Sequence, residues 1–225
     1  MKKFLCPFFI LPLLAVFSFA KDSPNFIIIY MDDLGWHQTS VRMMDSEPMS
    51  KHSFYKTPNV ERLAQMGMRF SNGYAPTATC TGSRVSIQFG QTSARTQYRY
   101  VFDVLHQKQR PEGYAGQYSL ADAVKTAGKS YVAAHFGKGM TEKLKGVNYD
   151  ITDEYEQYAP NGNLHGEKID IPSRKELPLD NPKRIYSLID ESMKFLKENA
   201  GKRPFFMMVS HYSVHVPHAA SKDYM

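Results

Sequence analysis

Apolar and polar positions alternate along the chain in blocks that read as strand, helix, strand. Phe26 to Tyr30 is a short unbroken run of β-branched and aromatic residues, the pattern of a parallel strand buried on both faces. Thr57-Pro58-Asn59 then supplies a helix start with proline at the first helical position, and Val60, Leu63, Ala64 and Met66 trace one face up to Gly67. Met68 to Tyr74 reads as a short strand. A helix over Arg84 to Phe89 stops near Gly90, and the Ser119-x-x-Asp122 capping box opens another that ends at Gly128. Ser130 to Phe136 is a strand closed by Gly137-Lys138-Gly139. Asn181-Pro182 begins the clearest helix, with Ile185, Leu188, Ile189, Met193 and Leu196 on one stripe, and Phe205 to Val209 follows as a buried strand. Such an alternation predicts an α/β fold with a mostly parallel sheet and helices on both faces. Gly35 to Lys56 and residues 141–180 lack a period and read as surface excursions.

The N-terminus changes the picture of where the chain works. Met1-Lys2-Lys3, an apolar run from Phe4 to Phe19 and Ser18-Phe19-Ala20 describe a secretory signal peptide over residues 1–20, followed by one domain over 21–225. The run is short for a membrane span and carries Pro7 and Pro12, so the expectation is export to a periplasmic or extracellular location with no stable membrane anchor after cleavage. The charge is +6, from 28 basic and 22 acidic residues; without Lys2 and Lys3 it is 26 against 22, or +4. Basic residues are scattered with no run of five, which argues against a nucleic-acid partner and leaves a mild attraction for anions.

Chemistry concentrates where strands end. Asp32-Asp33 follow the first strand, at the edge where α/β sheets bind ligands; the pair suits a hard cation such as calcium or magnesium, and equally a turn that caps its own backbone. Cys80 is the only cysteine left once the leader is removed, so it has no disulfide partner within the chain. Thr81-Gly82-Ser83 suits a tight turn into a helix, and Arg84 lies one helical turn on, which gathers a sulfur, a guanidinium and a helix N-terminus into a candidate anion site. Lys138 is either a strand-end anion ligand or a solvated turn lysine. After the last strand come His211, His215 and His218, any of which could serve as an acid or simply pack.

Four stretches, in this order, resemble the sulfatase family of the alkaline-phosphatase-like superfamily: Asn25 to Gly35, Thr57 to Ala64, Tyr74 to Arg95 around Cys80, and Pro204 through His215-Val216-Pro217. With the Gly137-Lys138 strand end they cover most of the chain after the leader. The resemblance implies that Asp32 and Asp33 help hold a calcium ion. It implies that Cys80 is the cysteine oxidised by a formylglycine-generating enzyme to formylglycine, whose hydrate is a geminal diol completing the metal site. Arg84 matches the arginine that steadies that diol, Lys138 the lysine on the sulfate oxygens, and His215 the histidine near the leaving-group oxygen, with His211 as second choice. The implied activity is hydrolysis of sulfate esters on a sulfated small molecule or glycan. Gly82 stands where the family prefers proline or alanine, and Gly139-Met140 where it usually has tryptophan and histidine. The chain corresponds to the N-terminal part of a sulfatase catalytic domain, before the Asp-Asn pair and lysine that complete the site in relatives, so an incomplete sheet and a short metal shell are expected. The alternatives are a phosphodiesterase or phosphonate monoester hydrolase of the same superfamily, and a non-catalytic product.

Overall fold

A computed structural model describes residues 23–98, 116–127, 130–139, 147–153, 181–216, 218 and 220–221. The leader, Gly128 and most of 141–180 lie outside the described residues, as does Pro217. Four strands, β1 (Phe26–Tyr30), β2 (Val132–Gly137), β3 (Ile151–Thr152) and β4 (Phe205–Ser210), form one sheet in the order β1-β4-β2-β3, and every pairing is parallel. Register sets Tyr30 beside Ser210 and Ser210 beside Gly137, so three strands end level with one another. The loops that follow them therefore meet, which is how a parallel sheet builds a site at its carboxyl edge.

Helices cover both faces. On one, α5 (Ile185–Asn199) lays Leu188 and Phe195 against Val132, Ala134, Phe136, Phe205, Met207 and Val209. On the other, Ala121 and Val124 of α4 (Leu120–Ala127) and Ile87 of α2 (Cys80–Phe89) pack on Ala133, Phe206, Met208, Ile28 and Tyr30. The two sets of sheet residues alternate along β2 and β4, as the two-residue period requires. Burying each large side chain of this kind contributes about 2 kcal/mol. α1 (Pro58–Met66) and the short α3 (Ser93–Thr96) complete the described helices.

The capping box at α4 forms as read: the Asp122 carboxylate accepts the Ser119 N–H at 2.8 Å, and Ser119 Oγ accepts the Asp122 N–H at 3.2 Å. α2 ends at Gly90, whose φ of 59° takes the chain out of the helix. Other expectations are corrected. Residues 67–74 form a bend and a turn and no strand, since among the described residues no strand pairs with them. Thr57 does not cap α1; its hydroxyl instead accepts the Ser40 N–H at 3.0 Å and ties the Gly35–Lys56 excursion to the helix start. α5 begins only at Ile185, after a 3-10 turn over Pro182–Arg184, and its buried stripe is Leu188, Ser192, Phe195 and Asn199, with Ile189 and Met193 exposed. β4 occupies the interior of the sheet, buried as read, whereas β1 takes the edge, so its apolar residues are not buried on both faces.

Candidate functional site

Asp32 is the second residue past β1, and its backbone is laced to the segment past β4: its N–H donates to the Ser213 carbonyl at 2.9 Å, and its carbonyl accepts the Val214 N–H at 2.6 Å. This fixes the carboxylate inside the molecule, where one oxygen accepts from Arg84 Nη2 at 3.0 Å and the other from Lys138 Nζ. All three side chains are nearly inaccessible to solvent. Burial alone would raise the Asp32 carboxyl; the Arg84 guanidinium and the Lys138 ammonium outweigh it and hold it below the usual carboxylate range. Such a buried cluster is costly to desolvate and stable only because its partners are correctly placed.

Arg84 reaches the cluster from α2. Its Nη1 donates to the Lys138 carbonyl at 2.6 Å and to Ser210 Oγ, and its guanidinium lies 4.9 Å from the centre of the Tyr30 ring. One side chain thus touches all three strand ends. Lys138 is presented by Gly137, whose φ is +94° and whose missing side chain is a requirement: a Cβ there would lie 2.1 Å from the Ser210 carbonyl oxygen. The Lys138 N–H donates to that same oxygen at 2.8 Å, while the Gly137 N–H donates to Asp153 at 2.9 Å.

Cys80 opens α2, one turn before Arg84, and is a half-buried free thiol whose Sγ lies 3.9 Å from the adjoining Thr81 hydroxyl. The helix starts at Cys80 itself, so Thr81 to Ser83 lie inside the first turns and do not form a turn ahead of them. Gly82 is packed: a Cβ added there would lie 2.6 Å from Thr77 Cγ2. The Thr77 methyl fills the space that a larger residue at position 82 would need. Tyr30 marks the closeness of these groups. Burial raises its phenol, opposed by the Arg84 charge and reinforced by Asp32 and Cys80.

Asp33 and His215 form a second, exposed pair. Asp33 has left-handed backbone (φ 59°) that turns its carboxylate outward, 55% accessible, with His215 Nε2 3.8 Å from it. His215 Nδ1 lies 2.5 Å from the Val216 carbonyl, an acceptor that suits the tautomer with its proton on Nδ1 and leaves Nε2 facing Asp33. His211 is differently placed: its N–H donates to the Tyr30 carbonyl at 2.8 Å, and burial lowers its ring below the usual histidine range. Among the described residues no group of three or more His, Cys, Asp or Glu could hold a metal ion. Asp32 and Asp33 are hard oxygen donors on adjacent residues, of the kind calcium takes about 6 to 8 of, and calcium at Asp32 would replace the Arg84 and Lys138 partners that occupy both its oxygens. Sequence reading passed over Ser210, which orients Arg84, and Lys183, a buried lysine at the start of α5. Nothing in the local pattern marks a strand-terminal serine, whereas Asn-Pro-Lys-Arg reads only as a helix start.

Two surface concavities, of about 560 Å³ beside Phe89 and Tyr118 and about 450 Å³ beside Asp122 and Asn148, include none of these residues. The comparisons with known proteins concern the whole chain. Human N-acetylgalactosamine-6-sulfatase is 24% identical over 92% of this chain and 42% of its own length. A sulfatase of Formosa agariphila is 32% identical over 67% of the chain and 31% of its own length, and canine arylsulfatase G is 30% identical over 51% and 19%. A solved structure of a protein in complex with its substrate D-glucosamine-2-N,6-O-disulfate superposes with a TM-score of 0.54 at 21% identity, covering 86% of this chain and 35% of that one, which shows a shared fold. The chain spans less than half the length of these relatives. The fold is accordingly that of the alkaline-phosphatase-like proteins, and with the sulfatase sequence model matching residues 24–225, the chain belongs to the sulfatase family.

Proposed function

We propose that this protein hydrolyses sulfate esters, with the buried Arg84–Asp32–Lys138 cluster beside Cys80 as its anion-binding centre. The observation that carries the reading is that two cations converge on one fixed carboxylate a single helical turn from an unpaired cysteine. Formylglycine made from Cys80 by a formylglycine-generating enzyme would supply, as its hydrate, a hydroxyl nucleophile, and calcium held by Asp32 and Asp33 would supply further positive charge. Lys138 and Arg84 bind and orient the sulfate oxygens, and because they are pre-set by Asp32 and shielded from water they stabilise negative charge growing there. His215, protonated at Nε2, delivers that proton to the departing alcohol oxygen, and Asp33 stabilises the imidazolium.

The substrate class proposed is a sulfated carbohydrate, supported by the sulfated amino sugars in the descriptions of the human relative and the solved neighbour. Export on the leader fits such a substrate, and no helix among the described residues is long and apolar enough to cross a membrane. Two measurements on protein purified from its native host test the reading. Mass spectrometry of the Cys80 peptide is expected to find the aldehyde, and an aryl sulfate is expected to turn over faster than a phosphate diester. A native thiol at Cys80 would favour a non-catalytic product, and preference for the diester would favour the phosphodiesterase reading.

A further inference from the structure

Two successive residues ahead of α5, Lys183 and Arg184, have left-handed backbone with φ of 56°, a conformation that non-glycine residues adopt only when their surroundings hold them there. Arg184 supplies the hold. Buried, it pairs with Asp153 at 2.7 Å and with Glu191 at 3.2 Å, and the same Asp153 oxygen accepts the Gly137 N–H beside Lys138. The turn carrying Lys183 and the turn carrying Lys138 are thus pinned to one carboxylate.

Lys183 is only 2% exposed, yet its Nζ has no hydrogen-bond partner among the described residues. Burial and the nearby charge of Lys138 push its ammonium down to about 8 against the pull of Asp32, in keeping with the two turns being pinned side by side on Asp153. Both Asp32 oxygens are already engaged by Arg84 and Lys138. A third cation therefore faces a cluster with one carboxylate and no acceptor to spare. Lysines are rarely buried unless paired, and an ammonium carries three donors.

We propose that Lys183 is a third cationic contact for the anion of this site, its ammonium donating to an oxygen of a tetrahedral sulfate-type oxyanion that completes the cluster. The inference rests on reading the cluster as an anion site, and it adds a residue from outside the matched motifs. A bound tetraoxyanion has oxygens enough for Arg84, Lys138 and Lys183 together, and its charge removes the mutual repulsion of the two lysines.

The probe is inorganic sulfate, read by calorimetry and by the rise in Tm over an equal ionic strength of chloride. Wild-type protein is expected to bind sulfate, and Lys138→Met to lose that binding; absence of sulfate binding by the wild type overturns the anion site and this inference with it. If the wild type binds, Lys183→Met is expected to weaken sulfate by about tenfold or more while leaving Tm without sulfate unchanged or higher, since it removes an unpaired buried charge. Lys183→Arg is expected to stay within about threefold of wild type, because charge and donors persist. Wild-type sulfate affinity in Lys183→Met, or a lower Tm with no change in affinity, would show a structural lysine and overturn the proposal while leaving the anion site standing. Lys183→Gln, which keeps a polar head, gives the same reading of affinity if the methionine variant does not fold.

Discussion

Every residue of β2 and β4 is buried, whereas β1, hydrogen-bonded to β4 in the same sheet, leaves Phe26, Ile27 and Ile29 44%, 47% and 60% accessible. The helices show the same divide: α5 seals one face of β2 and β4 with Leu188 and Phe195, while α1 buries none of its residues. The site follows this partition. Lys138 and Lys183 belong to the sealed half, and Arg84 reaches into it, whereas Asp33 and His215 stand at the open one. Charges in the sealed half act at low dielectric and are strongly coupled; the exposed pair is screened by water and salt. The buried Arg84–Asp32–Lys138 cluster is therefore the part of the site that this chain's own core enforces.

Breaking the sealed half at its narrowest point should have the largest effect. Gly137→Ala drives a Cβ into the Ser210 carbonyl and is expected to lower stability by about 4 kcal/mol or more, whereas Gly90→Ala, equally left-handed but with open space around it, should cost about 1 kcal/mol, both read from urea midpoints. Asp32→Ala leaves two buried cations without their carboxylate and should cost about 3 to 4 kcal/mol; Asp33→Ala, at the open side, should change stability by less than about 0.5 kcal/mol. Equal losses at the two aspartates would erase the division. Phe195→Ala should cost about 3 kcal/mol against less than about 1 kcal/mol for the exposed Leu63→Ala on α1.

Acid should act through the sealed half too. Burial, aided by the Arg84 charge, pushes His135 on β2 down to about 3 from an ordinary value of 6.5. Between those values the unfolded chain binds the proton and the folded one does not, so stability falls as pH drops from about 6.5 toward 3, by about 2 kcal/mol at pH 5. Denaturation curves at pH 7 and pH 5 for wild type and His135→Gln check this: the variant should lose most of the difference.

Much of the fold could be read from the sequence because it is local. The β2 and β4 runs, the Ser119–Asp122 box and the Gly90 stop each declare themselves within a few residues. Which strand lies inside the sheet is a long-range matter: Phe26 to Tyr30 and Phe205 to Val209 look alike as apolar runs, yet one is the edge and the other the middle. The start of α5 differs from the reading because two left-handed residues, invisible to periodicity, delay the helix to Ile185. At the site, Asp32, Cys80, Arg84 and Lys138 were visible as types of residue at strand and helix ends. That Asp32 would bind both cations, and that Lys183 would join them from a helix start, depends on three strands ending level.

The strand order also sets a timetable. β4 bridges β1 and β2, and the Phe205 N–H donates to Asn25 Oδ1 across 180 positions of chain. During synthesis β1 emerges first but has no neighbour to pair with until β4 follows, and long-range parallel pairing of this sort is intrinsically slow. For most of its elongation the chain is therefore an open polymer with Cys80 in the middle of an unfolded stretch. The strands on either side of Cys80 in sequence therefore come together beside it only after β4 is made.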